Sequence, residues 1–150
     1  MIGVGSGFGD DAAGLAVVEL LSRTELPAGV TIGCCARPLP DLLDAFDDAE
    51  AVVLVDATRG AGPPGHVHRV EEASIARDPA RSCHGFGVAE ALALARALGR
   101  APRRVAWVGI EAGACRPGQP SSGAVQRALP EAAAMALELA SEIGGLEVQS

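Results

Sequence analysis

Apolar residues recur along this chain with two different spacings. Leu15, Val18 and Leu21 fall at helical intervals within Asp11–Thr24, which predicts an amphipathic helix. Ala51-Val52-Val53-Leu54-Val55 is wholly apolar and ends in Asp56, as expected of a strand covered on both faces. Shorter apolar runs predict a stub of a first strand at Met1–Gly5 and further strands at Val30–Cys35, His66–Val70 and Arg103–Ile110. Helical spacing also predicts a short helix over Asp41–Ala49, one over Phe86–Leu98 that stops at Gly99, and a last helical region reaching Ile143.

Proline and glycine clusters punctuate these elements at Glu25–Gly29, Pro38–Pro40, Gly60–Gly65 and Pro117–Ser122. Ser121 or Ser122 is placed to cap the last helix, Pro130 is expected to split it, and Gly144-Gly145 to end it. Strands alternate with helices throughout. That alternation predicts an α/β domain with a mostly parallel sheet and helices on both sides. No repeat, linker or low-complexity tract interrupts it, so residues 1–150 read as a single domain.

Composition narrows the function classes. A chain of 150 residues is long enough for one core. Its net charge of −7 argues against a nucleic-acid partner. No apolar run approaches the ~18 residues of a membrane span, and no secretory leader pattern opens the chain. A cytoplasmic location is the expectation. Cys34, Cys35, Cys83 and Cys115 form no CxxC pair, so they read as reduced thiols rather than a zinc ribbon or redox motif.

The opening stretch, Gly3-Val4-Gly5-Ser6-Gly7-Phe8-Gly9-Asp10-Asp11, resembles a phosphate-binding loop only superficially. A dinucleotide fingerprint from Gly3 needs glycine where Phe8 stands, and from Gly5 where Asp10 stands. A P-loop needs a lysine, which this chain lacks. The glycines read instead as a sharp turn, with the two acids at a helix start that favours negative charge. Asp10 is expected to cap that helix, with proton transfer as its alternative role, leaving Asp11 available.

In open α/β sheets the ligand site lies beyond the carboxyl ends of the strands. Asp11 follows the first strand, Asp56 ends the third, and His84 precedes a helix after the fourth. Each also has a plain structural role: Asp56 can bond turn amides, and His84 a backbone carbonyl. Together, two carboxylates and an imidazole suit a divalent transition metal and leave positions open for water or substrate. His66 and His68 are rival ligands on one face of a strand, but no acid or cysteine stands at a suitable spacing beside them. They read better as the solvated face of an edge strand. Adjacent Cys83 and His84 point apart in extended chain, which disfavours a direct nucleophilic pair; Cys34 or Cys35 with His84 stays open.

These residues resemble the hydrogenase maturation endopeptidases, which trim the C-terminus of the large subunit of nickel–iron hydrogenases. The resemblance rests on Gly3-Val4-Gly5-Ser6 with Gly9-Asp10-Asp11-Ala12-Ala13-Gly14, Val53-Leu54-Val55-Asp56-Ala57, His84-Gly85-Phe86-Gly87 and Gly109-Ile110-Glu111. It implies an αβα sandwich around a mainly parallel sheet. It also implies that Asp11, Asp56 and His84 contact a metal and carry an aspartic-type endopeptidase-like activity. The implied metal is nickel already inserted in the substrate, with zinc or cadmium able to occupy the site in the isolated protein. The implied partner is the large-subunit precursor, activated by loss of its C-terminal extension. Cys34-Cys35-Ala36-Arg37-Pro38 departs from the small Gly-Gly-Thr turn frequent in the family after the second strand, which bears on which hydrogenase is accepted. Rival readings are a non-catalytic nickel-site checkpoint or chaperone, a hydrolase carrying its own zinc, and a germination-type protease.

Overall fold

The computed structural model describes residues 1–83, 85–113 and 118–145. Strands β1 (Ile2–Val4), β2 (Gly33–Cys35), β3 (Ala51–Thr58), β4 (Val67–Arg69) and β5 (Arg104–Glu111) form one sheet in the order β2-β1-β3-β5-β4. All neighbours pair in parallel except β4, which runs antiparallel to β5 along one edge. Helices α1 (Ala13–Leu21) and α5 (Gly123–Gly144) cover one face. Helices α2 (Pro38–Asp47), α3 (Glu72–Arg77) and α4 (Gly85–Ala97) cover the other. This is the predicted three-layer αβα architecture.

The period-2 geometry of strands divides the core in two. Val53, Val55 and Ala57 of β3 pack toward α1 and α5 with Val108 and Ile110 of β5. Val52 and Leu54 pack the other way with Trp107, Phe46 and Leu92. Asp56 and Thr58 share the face of Val52 and Leu54, at the carboxyl end of the strand. Among the described residues no helix is long and apolar enough to cross a membrane.

Several boundaries differ from the sequence reading. A 3-10 turn occupies Gly9–Ala12, so α1 begins at Ala13 rather than Asp11. The second strand forms only at Gly33–Cys35, where β1 offers partners. Helix α2 starts at Pro38, before the predicted Asp41. A proline at the first helical position lacks an N–H that has no partner there anyway. Asp41 accepts the Arg37 N–H at 3.0 Å just ahead of that turn. Asp56 lies inside β3, two residues before its end. The stretch read as polar loop contains α3 and a 3-10 turn at Pro79–Arg81, anchored by buried Ile75. Pro130 does not split the last helix, which runs unbroken from its Ser122 cap to left-handed Gly145. Pro130 and Gln126 lie on the exposed face, where water can satisfy the freed carbonyl, while Ala128, Ala132, Ala136 and Ala140 hold the other face on the sheet.

Helix α1 sits unusually close to the sheet. A Cβ on Gly14 would lie 2.2 Å from the Val55 carbonyl oxygen and 2.3 Å from that of Val4. One on Gly3 would lie 2.2 Å from the Gly14 oxygen. All three obstacles are backbone, so relief requires lifting the helix. Gly14→Ala is expected to cost about 2–3 kcal/mol, the scale of overpacking. That lowers the melting midpoint by roughly 4–12 °C in a domain of this size, measurable by calorimetry.

Candidate functional site

The strand order reverses between β1 and β3: from β1 the chain passes to β2 on one side, then returns to β3 on the other. At such a switch point the connections part and leave a crevice beyond the carboxyl ends of the strands. The loop after β1 and the end of β3 flank that switch point. Both predicted carboxylates lie here.

Asp11 occupies the 3-10 turn that packs against β3. It is half-buried, and the Ser6 hydroxyl donates to its Oδ2. Its own N–H reaches the Phe8 carbonyl at 3.2 Å. The glycine-rich turn thus folds Ser6 back onto Asp11 and restrains the carboxylate. Asp56 is fully buried, and Ser82 Oγ donates to its Oδ2 at 2.5 Å. Residues 81–83 run antiparallel beside the end of β3. Arg59 N–H donates to Arg81 O at 2.6 Å, and Cys83 N–H to Ala57 O at 3.0 Å. The chain is therefore clamped to β3 up to the residue before His84. His84 itself lies outside the described residues, as does Cys115. Among the described residues no three His, Cys, Asp or Glu side chains gather to hold a metal. The described donors of the predicted set are the two carboxylates.

Asp10 has a different role from the cap predicted for it. The residue preceding α1's first turn is Ala12, which has no side-chain cap. The buried Asp10 carboxylate instead accepts Gly113 N–H at 2.8 Å, Ser122 N–H at 2.6 Å and Ser122 Oγ at 3.0 Å. It ties the first loop to the end of β5 and the start of α5. With its oxygens so engaged, it is a staple rather than a proton-transfer group.

His68 also departs from expectation. It lies on edge strand β4, but its ring turns inward over Gly109, whose absent side chain makes the room: a Cβ there would come 2.7 Å from His68 Nε2. Nε2 sits 3.0 Å from Thr58 Oγ1 and 3.2 Å from Oε1 of Glu111, which is almost fully buried. The Thr58 hydroxyl donates to that same oxygen at 2.8 Å. His66 stacks on His68 with ring centres 5.4 Å apart. His68 is thus held against the sheet edge, while His66 is exposed, as the sequence reading expected. Ser6, Ser82 and Thr58 were not legible as site residues, since hydroxyls are common in loops and their partners are distant in sequence.

Cys34, Cys35 and Cys83 form no disulfide. Burial and the nearby Asp41 carboxylate push Cys35 up to about 12, so it stays protonated and is no nucleophile at neutral pH. Iodoacetamide at pH 8 is expected to label exposed Cys34 and spare Cys35 in the folded protein, read by peptide mass mapping. A cavity of about 470 Å³ lined by Met1, Ala51 and Ile143 lies at the opposite, amino end of the strands.

The model of the hydrogenase maturation protease family matches residues 16–139. That span takes in Asp56 and His84 and begins after Asp11. Among curated proteins none matches. Several solved structures are similar, among them the following three. The hydrogenase maturating endopeptidase HybD from E. coli is 24% identical, with TM-score 0.77, covering 95% of this chain and 91% of that one. The nickel–iron hydrogenase maturation protease HybD from Thermococcus kodakarensis is 25% identical, with TM-score 0.75, covering 93% and 96%. A hydrogenase 2 maturation peptidase from a Thaumarchaeota archaeon is 29% identical, with TM-score 0.61, covering 97% of each chain.

Proposed function

The chain belongs to the hydrogenase maturation protease family and is a maturation endopeptidase, and we propose that it removes a C-terminal extension from the nickel-loaded large-subunit precursor of a nickel–iron hydrogenase, in the cytoplasm. The observation that carries this reading is the placement of Asp11 and Asp56 at the one switch point of the sheet, with the segment leading to His84 clamped beside Asp56.

The donor chemistry fits a borderline metal. Carboxylates alone favour magnesium or calcium, whereas imidazole beside them favours nickel or zinc. Asp11, Asp56 and His84 are the residues that would touch the substrate's nickel, and three protein donors leave room for its own ligands. A divalent metal so placed supplies Lewis-acid polarisation of a water or a peptide carbonyl. Ser6 and Ser82 hold the two carboxylates in orientation, as outer hydrogen-bond partners do at metal sites. Recognition of the metal would restrict cleavage to loaded precursor, since the apo precursor lacks the group these residues bind.

Intact mass of a cognate precursor after incubation with the protein tests this directly. Loss of a C-terminal peptide only from the nickel-loaded precursor is the expected result. Equal cleavage of the nickel-free precursor overturns metal recognition. A stable complex with no mass change in either sample overturns the protease reading in favour of a checkpoint.

A further inference from the structure

A second cavity adjoins the end of β3, within reach of the proposed site. It encloses about 230 Å³ and is lined by Thr58 and His68, and by Arg59, Arg69, Arg77 and Arg81. Glu71 is the acidic residue on its wall. Such a concentration of cations is unexpected in a chain of net charge −7. Several arginines elsewhere are matched: Arg37 with Asp41, Arg96 with Glu72, Arg100 with Asp47. Arg69 is matched by Glu142 at 3.1 Å. Among the described residues, neither Arg77 nor Arg81 pairs with a carboxylate. Arg81 commits Nη2 to the Gly60 carbonyl at 3.3 Å, which fixes its guanidinium at the cavity wall.

The floor of the cavity is built. Thr58 and His68 are held by buried Glu111, and Gly109 leaves the space that the imidazole fills. Thr58 stands two residues beyond Asp56 on the same face of β3, a separation of about 7 Å along a strand. That is the reach of about two residues of extended peptide.

A cationic cavity at this distance from a peptide-cutting site calls for an anion carried on the peptide. We propose that the cavity is a subsite for a carboxylate of the substrate's C-terminal extension, held by Arg77 and Arg81 over the Thr58–His68 floor. Guanidinium groups suit this ligand because their fork of N–H donors matches a carboxylate's two oxygens. The carboxylate comes either from an acidic side chain of the extension or from its chain terminus. The subsite rests on the processing reaction proposed above, and its test is read without cleavage.

The probe is a synthetic peptide of the cognate extension, titrated into the full chain while the arginine Nε–H resonances are followed by NMR. Shifts at Arg77 and Arg81 are expected, with affinity falling at least about tenfold in an R77Q/R81Q double variant, the scale for losing a charge-assisted hydrogen bond. A peptide amidated at its C-terminus, and one with its acidic side chains as amides, identify the source by which of them loses binding. No shift at either arginine, or equal affinity for the double variant, overturns the subsite. On the loaded precursor the double variant should raise KM with kcat unchanged, as for a contact made equally in ground and transition states. If the wild-type protein cleaves no precursor but binds the peptide at these arginines, the processing reading alone falls.

Discussion

Asp56→Asn should abolish precursor processing without unfolding the protein. The substitution preserves size in a fully buried position, and an amide oxygen can still accept the Ser82 hydroxyl. What it removes is the negative charge that would meet the substrate's metal. A loss of at least about 100-fold in processing rate is expected, the scale for deleting a group that acts on the reacting centre. Intact mass of the loaded precursor over time gives the rate; circular dichroism and the melting midpoint report the fold. Ser82→Ala should have a smaller effect, about 10–100-fold, because it only orients the carboxylate. Processing by Asp56→Asn at the wild-type rate would remove Asp56 from the site and leave Ser82 as its purely structural partner.

Asp10→Ala should have the opposite signature: a large loss of stability. The variant strips three hydrogen bonds from a buried position and leaves the Gly113 and Ser122 N–H groups without their acceptor. Each donor left without its acceptor costs about 1–3 kcal/mol, so the two N–H groups together cost about 2–6 kcal/mol. In a domain of this size that is a fall of roughly 4–24 °C in melting midpoint. Asp11→Ala, one residue away, should leave the midpoint within a few degrees and abolish processing. The contrast separates two adjacent aspartates by calorimetry and mass spectrometry alone. Equal melting of Asp10→Ala and wild type would show that the carboxylate does not staple the first loop to α5.

The division between Asp10 and Asp11 marks where sequence reading stops. Both acids follow a glycine turn at the start of a helix, and helix electrostatics favours either as a cap. What separates them lies far along the chain, at Gly113 and Ser122, which no local rule connects to position 10. His68 shows the same limit. Its alternation with Val67 fits a solvated edge, and only the pairing of β4 with β5 places Gly109 beneath the ring and Glu111 within its reach. Pro130 was misleading for another reason: its cost depends on which face of α5 it occupies, and that is set by packing on the sheet.

The sequence by itself determined the alternation of strands and helices, the doubly covered β3 and the α/β class, because hydrophobic period is a local property that burial imposes on each segment. It also placed Asp11 beyond the first strand and Asp56 near the carboxyl end of the third, which is enough to put them on one rim of a parallel sheet. Only the tertiary structure decided the strand order, and with it the switch point between β1 and β3. It alone assigned Ser82 to Asp56, Ser122 to Asp10 and the arginines to one cavity. Those contacts join residues tens of positions apart, and their geometry follows from how the layers close around the sheet rather than from any pattern within a segment.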